Sequence, residues 1–151
     1  MRALVHRVTE ASVVSNGTLT GSIKEGIVLL AGFEESDNED DLNYIVRKIV
    51  NLRIFDDENG VMNLSLTDVK GEILLVSQFT LHALTKKGNR PSYIRAAKPE
   101  TAIPLYEKFI SLLTQAADRK IECGIFGADM RVSLVNNGPV TIWLDSKNTD
   151  Y

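Results

Sequence analysis

The sequence contains one cysteine, Cys123, and two histidines, His6 and His82. A single thiol cannot close an intramolecular disulfide, and these three residues fit no spaced zinc signature. The expectation is a reducing compartment, the cytoplasm, and chemistry that uses no metal or other cofactor. Long apolar runs are also missing. The longest, GIVLLAGF from Gly26 to Phe33, falls far short of the roughly 20 residues a membrane helix needs. The N-terminal MRALVHRVTEASVV alternates like a strand and lacks the apolar core and small-residue cleavage site of a signal peptide. There is no G-x-S-x-G elbow, no H-E-x-x-H and no phosphate-cradling P-loop.

What is present is an ordinary globular composition: 151 residues, 44% apolar and 25% charged. That length predicts one domain over 1–151, large enough to bury about two-thirds of its unfolded surface. Strand-like runs occur at Arg2–Val8, Ser12–Val14, Thr18–Ile23 and Ile27–Ala31, with the hairpin dipeptide Asn16-Gly17 between two of them. Ser36 and Glu39 read as a capping box, and Leu42, Ile45, Val46 and Ile49 follow at helical spacing, so a helix is expected from about Asp37 to Asn51.

Glu72–Phe79 (EILLVSQF) is apolar enough to be a strand buried on both faces. A second helix is expected to begin near Thr101–Pro104, with Tyr106, Phe109, Ile110 and Leu113 as its inner stripe. Three further strands are expected at Lys120–Gly124, Arg131–Val135 and Val140–Leu144. Strands outnumber helices around one core, which predicts an α+β fold, a largely antiparallel sheet or barrel with two main helices.

The formal charge is −3, which by itself disfavours a nucleic-acid partner. Its distribution tells more. From Ile73 to Pro99 the chain carries Lys86, Lys87, Arg90, Arg95 and Lys98 and no acidic residue, whereas the remainder holds 12 basic and 20 acidic residues. Such a segment can be a plain solvated loop. It follows directly on the strand ending in Ser77-Gln78-Phe79-Thr80, however, and Tyr93 offers a stacking surface among its charges, which suits an anionic substrate.

In an extended strand Thr80 and His82 would share a face, so a Thr–His pair is conceivable, although no third residue is indicated. The other anomaly is Gly138-Pro139 between two strand-like runs, where the missing N–H should interrupt the ladder or place it at an edge.

SQFTL (Ser77–Leu81) and NNGPVT (Asn136–Thr141), with GNRPSY (Gly88–Tyr93) and FGADMRVSLVNNGPVTIWLDS (Phe126–Ser146), resemble the D-aminoacyl-tRNA deacylase family. The resemblance starts at MRALVHRVTEASV and includes NLRIFDDENGVMNLSL, leaving only the tail KNTDY outside. It implies a homodimer that hydrolyses the ester between a D-amino acid, or often glycine, and the 3′-terminal adenosine of tRNA. By the same resemblance the Gly138-Pro139 bond is cis, and the pair enters the partner subunit's pocket, facing the substrate α-carbon and excluding L-side chains.

Ser77, Gln78, Phe79 and Thr80 would line the pocket opposite that pair, with backbone N–H groups as an oxyanion hole. Thr80 is one possible nucleophile; a water assisted by the terminal ribose 2′-hydroxyl is the other, and the lack of a base beside Thr80 favours the water. Lys86, Lys87, Arg90, Arg95 and Lys98 would help to hold the acceptor end. The sequence departs from the family pattern at Asn137, where aspartate is expected. A different class of function, a small nucleotide- or RNA-binding dimer without catalysis, would use the same motifs only to shape a pocket.

Overall fold

In the computed structural model, which describes residues 1–150, Asn16 and Gly17 both take positive φ, 48° and 83°, and turn the chain from β1 (Arg2–Ser15) into β2 (Thr18–Ile23). This is the hairpin that the dipeptide predicts. The remaining elements are β3 (Gly26–Gly32), α1 (Glu39–Asn51), β4 (Phe55–Asp56), β5 (Met62–Leu64), β6 (Glu72–Ser77), a 3₁₀ turn (Phe79–His82), α2 (Pro99–Ala117), β7 (Glu122–Cys123) and β8 (Met130–Asp145). Tyr151, at the end of the tail KNTDY, lies outside the described residues.

The two N-terminal runs expected as separate strands are one. β1 pairs along one edge with β3 and then β2, and along the other with β8, and the polar Thr9-Glu10 only marks a shift of register. The runs Arg131–Val135 and Val140–Leu144 are likewise joined within β8. Ladders to a common partner, β1, carry the strand across a local break that sequence alternation alone reads as an end.

Around β1 every pairing is antiparallel, while β3–β6 and β6–β7 are parallel because α1 and α2 supply the crossovers. The sheet curls until its ends nearly meet. A Cβ on Gly21 of β2 would lie 3.2 Å from the Cys123 carbonyl oxygen of β7, so glycine permits the close approach.

α1 is capped by Asn38, which accepts from the Asp40 N–H, while Asp41 accepts from the Asn38 N–H. The capping box thus falls two residues beyond the expected Ser36/Glu39 pair. α2 starts at Pro99, ahead of the expected Thr101–Pro104, with that proline in its first turn and Pro104 inside the helix. Both helices cover one face of the sheet: Leu42, Ile45 and Ile49 from α1 and Tyr106, Phe109 and Leu113 from α2 pack on Ala3, Val5, Ile27, Leu29, Ile73 and Leu75. A second cluster, Val8, Val13, Ile23, Val28, Leu74 and Val76, fills the inside of the curl. The two clusters together leave the C-terminal ends of β3 and β6 side by side at the mouth of the site.

Candidate active site

β6 ends at Ser77, not at Phe79 as expected, and the chain tightens into the 3₁₀ turn. Ser77, Gln78 and Phe79 line a cavity of about 280 Å³ with Ala31, Gly32 and Phe33 from the end of β3, Ala97 and Ala102 near the start of α2, and Phe126 to Ala128, Met130 and Val132. The walls are mostly apolar. Thr80 is not a wall; its Oγ accepts a hydrogen bond from Gln78 Nε2. At the opening of the turn the N–H groups of Phe79 and Thr80 donate to no protein acceptor among the described residues. Two unengaged donors beside a cavity can receive an oxyanion. Phe79 is 56% exposed and meets Tyr93 edge to face at 5.0 Å between ring centroids.

The turn also removes the conceivable Thr–His pair, since Thr80 and His82 do not share the face of an extended strand. His82 is 1% exposed, and neither ring nitrogen has a hydrogen-bond partner. Burial holds its pKa below the usual histidine value of 6.5. The folded chain therefore binds fewer protons than the unfolded chain between the two pKa values, and this contribution to stability is complete above the unfolded pKa and lost as the pH falls through the folded one. His82→Phe is expected to flatten the loss of unfolding free energy between about pH 7 and about pH 5 in urea titrations; an unchanged slope would refute this.

Gly138 and Pro139 sit in a bulge of β8. His6 pairs with Thr141 and Val8 with Asn136, so residues 137–140 loop out opposite Arg7. Their peptide bond is cis, Gly138 takes φ 129°, and both residues are exposed. The ladder is interrupted there, as the missing proline N–H requires.

One residue that the sequence pattern does not single out holds this loop. Arg7, 5% exposed, donates from Nε to the Asn137 carbonyl at 2.9 Å and from Nη1 to the Ile54 carbonyl at 2.6 Å and Asp56 Oδ1 at 3.2 Å. Because the bond uses the main chain of Asn137, the departure from aspartate leaves it intact. A lone arginine at a buried position of an alternating strand is the signal that could have found it.

Gly138 and Pro139 are not among the walls of the cavity that Ser77, Gln78 and Phe79 line. The basic segment is also divided. Leu84 and Ser92 exchange backbone hydrogen bonds and close a loop that carries Lys86, Lys87 and Arg90 exposed at its tip. Arg95 is paired with Glu34 at 3.0 Å, and the Lys98 N–H donates to Glu35 Oε1. Arg95 therefore carries a neutralised charge, which leaves Lys86, Lys87, Arg90 and Lys98 without an ion pair among the described residues.

This combination of curled sheet, motif turn and bulged loop has known counterparts. Residues 4–145 match the family described as D-Tyr-tRNA(Tyr) deacylase, and the chain belongs to that family. It is thus a hydrolytic enzyme. The chain is 57% identical over 150 residues to a D-aminoacyl-tRNA deacylase of Flavobacterium psychrophilum, covering 99% of this chain and all of that one. To the protein of the same name from Chromobacterium violaceum it is 59% identical, with the same coverage. Among solved structures, one titled c-Myc DNA Unwinding Element Binding Protein superposes with a TM-score of 0.90 at 42% identity, covering 96% of this chain and 98% of that one. A probable eukaryotic D-amino acid tRNA deacylase shares the fold, with a TM-score of 0.81 at 16% identity over 95% and 97% of the two chains.

Proposed function

We propose that this chain, acting as one domain, hydrolyses the ester of D-aminoacyl-tRNA, and of glycyl-tRNA, in the cytoplasm, as a homodimer in which each Gly138-Pro139 loop completes the partner's cavity. The observation that carries this reading is the exposed, tightly held loop that has no part in the cavity of its own chain. A clamped protrusion and an unfinished pocket on one molecule are complementary when a second copy is added. The half-exposed outer face of β1 and β8, with Leu4 opposite Trp143 and His6 opposite Thr141, lies beside the loop and suits such an interface.

The chemistry follows from the donors. A water attacks the ester carbonyl carbon, the Phe79 and Thr80 N–H groups hold the resulting oxyanion, and the bond to the ribose oxygen breaks as that oxygen takes the proton. The Thr80 hydroxyl has Gln78, not a base, as its partner, and the ribose 2′-hydroxyl assists the water instead. Apolar pockets separate near-isosteres by only about 1–3 kcal/mol, so accepting many D-side chains while rejecting L is better achieved by a rigid obstacle at the α-carbon than by reading the side chain.

Loss of label from matched D- and L-tyrosyl-tRNA tests the reading: fast loss from the D-ester alone is expected. Background loss from both, with tRNA still bound, would establish a non-catalytic RNA-binding dimer instead.

Lys86, Lys87, Arg90, Arg95 and Lys98 are assigned to the acceptor end, with Arg95 the weakest contributor because Glu34 already pairs it. Reversing Lys86 and Lys87 to glutamate is expected to weaken tRNA binding and flatten the salt dependence of log Kd by roughly 0.7 for each phosphate no longer neutralised. Unchanged binding at both low and high salt would move the phosphates to another surface.

A further inference from the structure

We propose that His6 is a positioning residue for the Gly138-Pro139 loop, acting through Thr141 and Asn136 and only in its neutral form, so that discrimination between D- and L-esters weakens as His6 takes up a proton. This rests on reading that loop as the chirality filter.

Asn136 and Thr141 are the last paired residues on either side of the bulge. The Val140 N–H donates to Asn136 Oδ1 at 2.8 Å, which fixes the amide, and Asn136 Nδ2 then donates to Thr141 Oγ1 at 3.0 Å. With that oxygen accepting, the Thr141 hydroxyl proton is free to go to His6 Nδ1, also 3.0 Å away. Asn136 Nδ2, a donor only, lies 3.4 Å from the same ring nitrogen. The ring form that engages both neighbours is therefore the one with Nδ1 bare as acceptor and the proton on Nε2.

Protonation reverses the chain. An Nδ1–H could be accepted only by Thr141 Oγ1, whose own proton would turn away, and it would stand against the Asn136 N–H, repelling the amide that clamps Val140. Within the chain, no carboxylate among the described residues offsets this. His6 faces Thr141 and Asn136 on β8 and pairs with Val28 on β3. Arg7, the next residue, points to the opposite face with Asp56, and no carboxylate is bonded or paired to His6 among the described residues. Burial lowers the His6 pKa as well, keeping the ring neutral at ordinary pH.

The test is the ratio of kcat/KM for D- over L-tyrosyl-tRNA, corrected for spontaneous hydrolysis, from about pH 8 to about pH 5. For the unaltered enzyme the ratio is expected to fall about fivefold on acidification, the worth of one hydrogen bond. His6→Ala should show the low ratio throughout. His6→Gln, whose carbonyl can accept from Thr141 but cannot be protonated, should restore a high ratio and flatten its pH profile.

A second measurement needs no variant: the Val140 amide resonance should titrate with the midpoint of the His6 ring. An unchanged ratio in His6→Ala, or a Val140 amide indifferent to His6 protonation, overturns the proposal. If Gly138→Ala also leaves the ratio untouched, the filter reading has failed; if Gly138→Ala abolishes the ratio while His6→Ala does not, only the role of His6 has failed.

Discussion

Gly138→Ala is expected to cut the D-over-L ratio by about tenfold or more, since displacements of about 1 Å at a reacting centre cost up to 100-fold. Gly138 sits at φ 129°, a conformation L-residues rarely adopt, which costs a side chain of the order of 1–3 kcal/mol. An added Cβ would also stand 2.9 Å from Arg7 Nη2 and 3.0 Å from Val140 Cγ2. Neither neighbour yields easily: Arg7 is pinned by three hydrogen bonds, and the Val140 N–H is held by Asn136. The loop must therefore move. The loop is exposed, and the strain falls on its conformation while the core stays packed, so thermal denaturation should show a folded variant. A folded Gly138→Ala enzyme with the original D-over-L ratio would remove the loop from the selection step.

Arg7→Ala should have a large effect on both stability and selectivity. It strips the Ile54 carbonyl of a charged donor, releases the Asn137 carbonyl and leaves Asp56 unpaired. For a buried, charge-assisted cluster the cost is about 2–4 kcal/mol, to be read from denaturant midpoints. Arg7→Lys is expected to recover little, because an ammonium cannot present the planar fork that spans three acceptors in different directions. Measured on the folded fraction, Arg7→Lys should lower the D-over-L ratio more than it lowers tRNA affinity. Equal loss of both would mean that Arg7 serves only the fold.

Both effects trace to residues of unequal visibility in the sequence. Gly138-Pro139 stands out because proline in a strand-like run is a local anomaly, and Asn16-Gly17 because a two-residue turn needs positive φ at both positions. SQFTL is visible as the end of a buried strand. Arg7 shows only as a charge on the buried face of an alternating strand, with nothing to say what it meets. The acceptors that bury it come from Ile54, Asp56 and Asn137, so its role exists only after three distant segments meet. The same is true of His6, whose partners lie on β8, and of Arg95, whose free charge is expected from sequence and is cancelled by Glu34 on the connection from β3 to α1.

Strand continuity shows the same limit. Thr9-Glu10 and the Gly138 bulge each read as a boundary, yet β1 and β8 run through them because each ladder supports the other. The 3₁₀ turn at Phe79–His82 is hidden for a related reason. An apolar run of that length does not show where its backbone donors stop pairing, and here the pairing stops at Gln78, whose N–H reaches the Ala31 carbonyl, before the turn begins.

The sequence by itself determined the α+β class, the two helices, the turn chemistry and the two motifs, because periodicity, positive φ and the missing proline N–H are local properties of the chain. Only the tertiary structure decided how those motifs are used. It left two N–H groups unengaged beside an apolar cavity, buried His82 away from Thr80, and tied the Gly138-Pro139 loop to Arg7 and Asn136. Hydrogen-bond satisfaction and burial are settled between segments far apart in the chain, and no local pattern encodes which donor will find which acceptor.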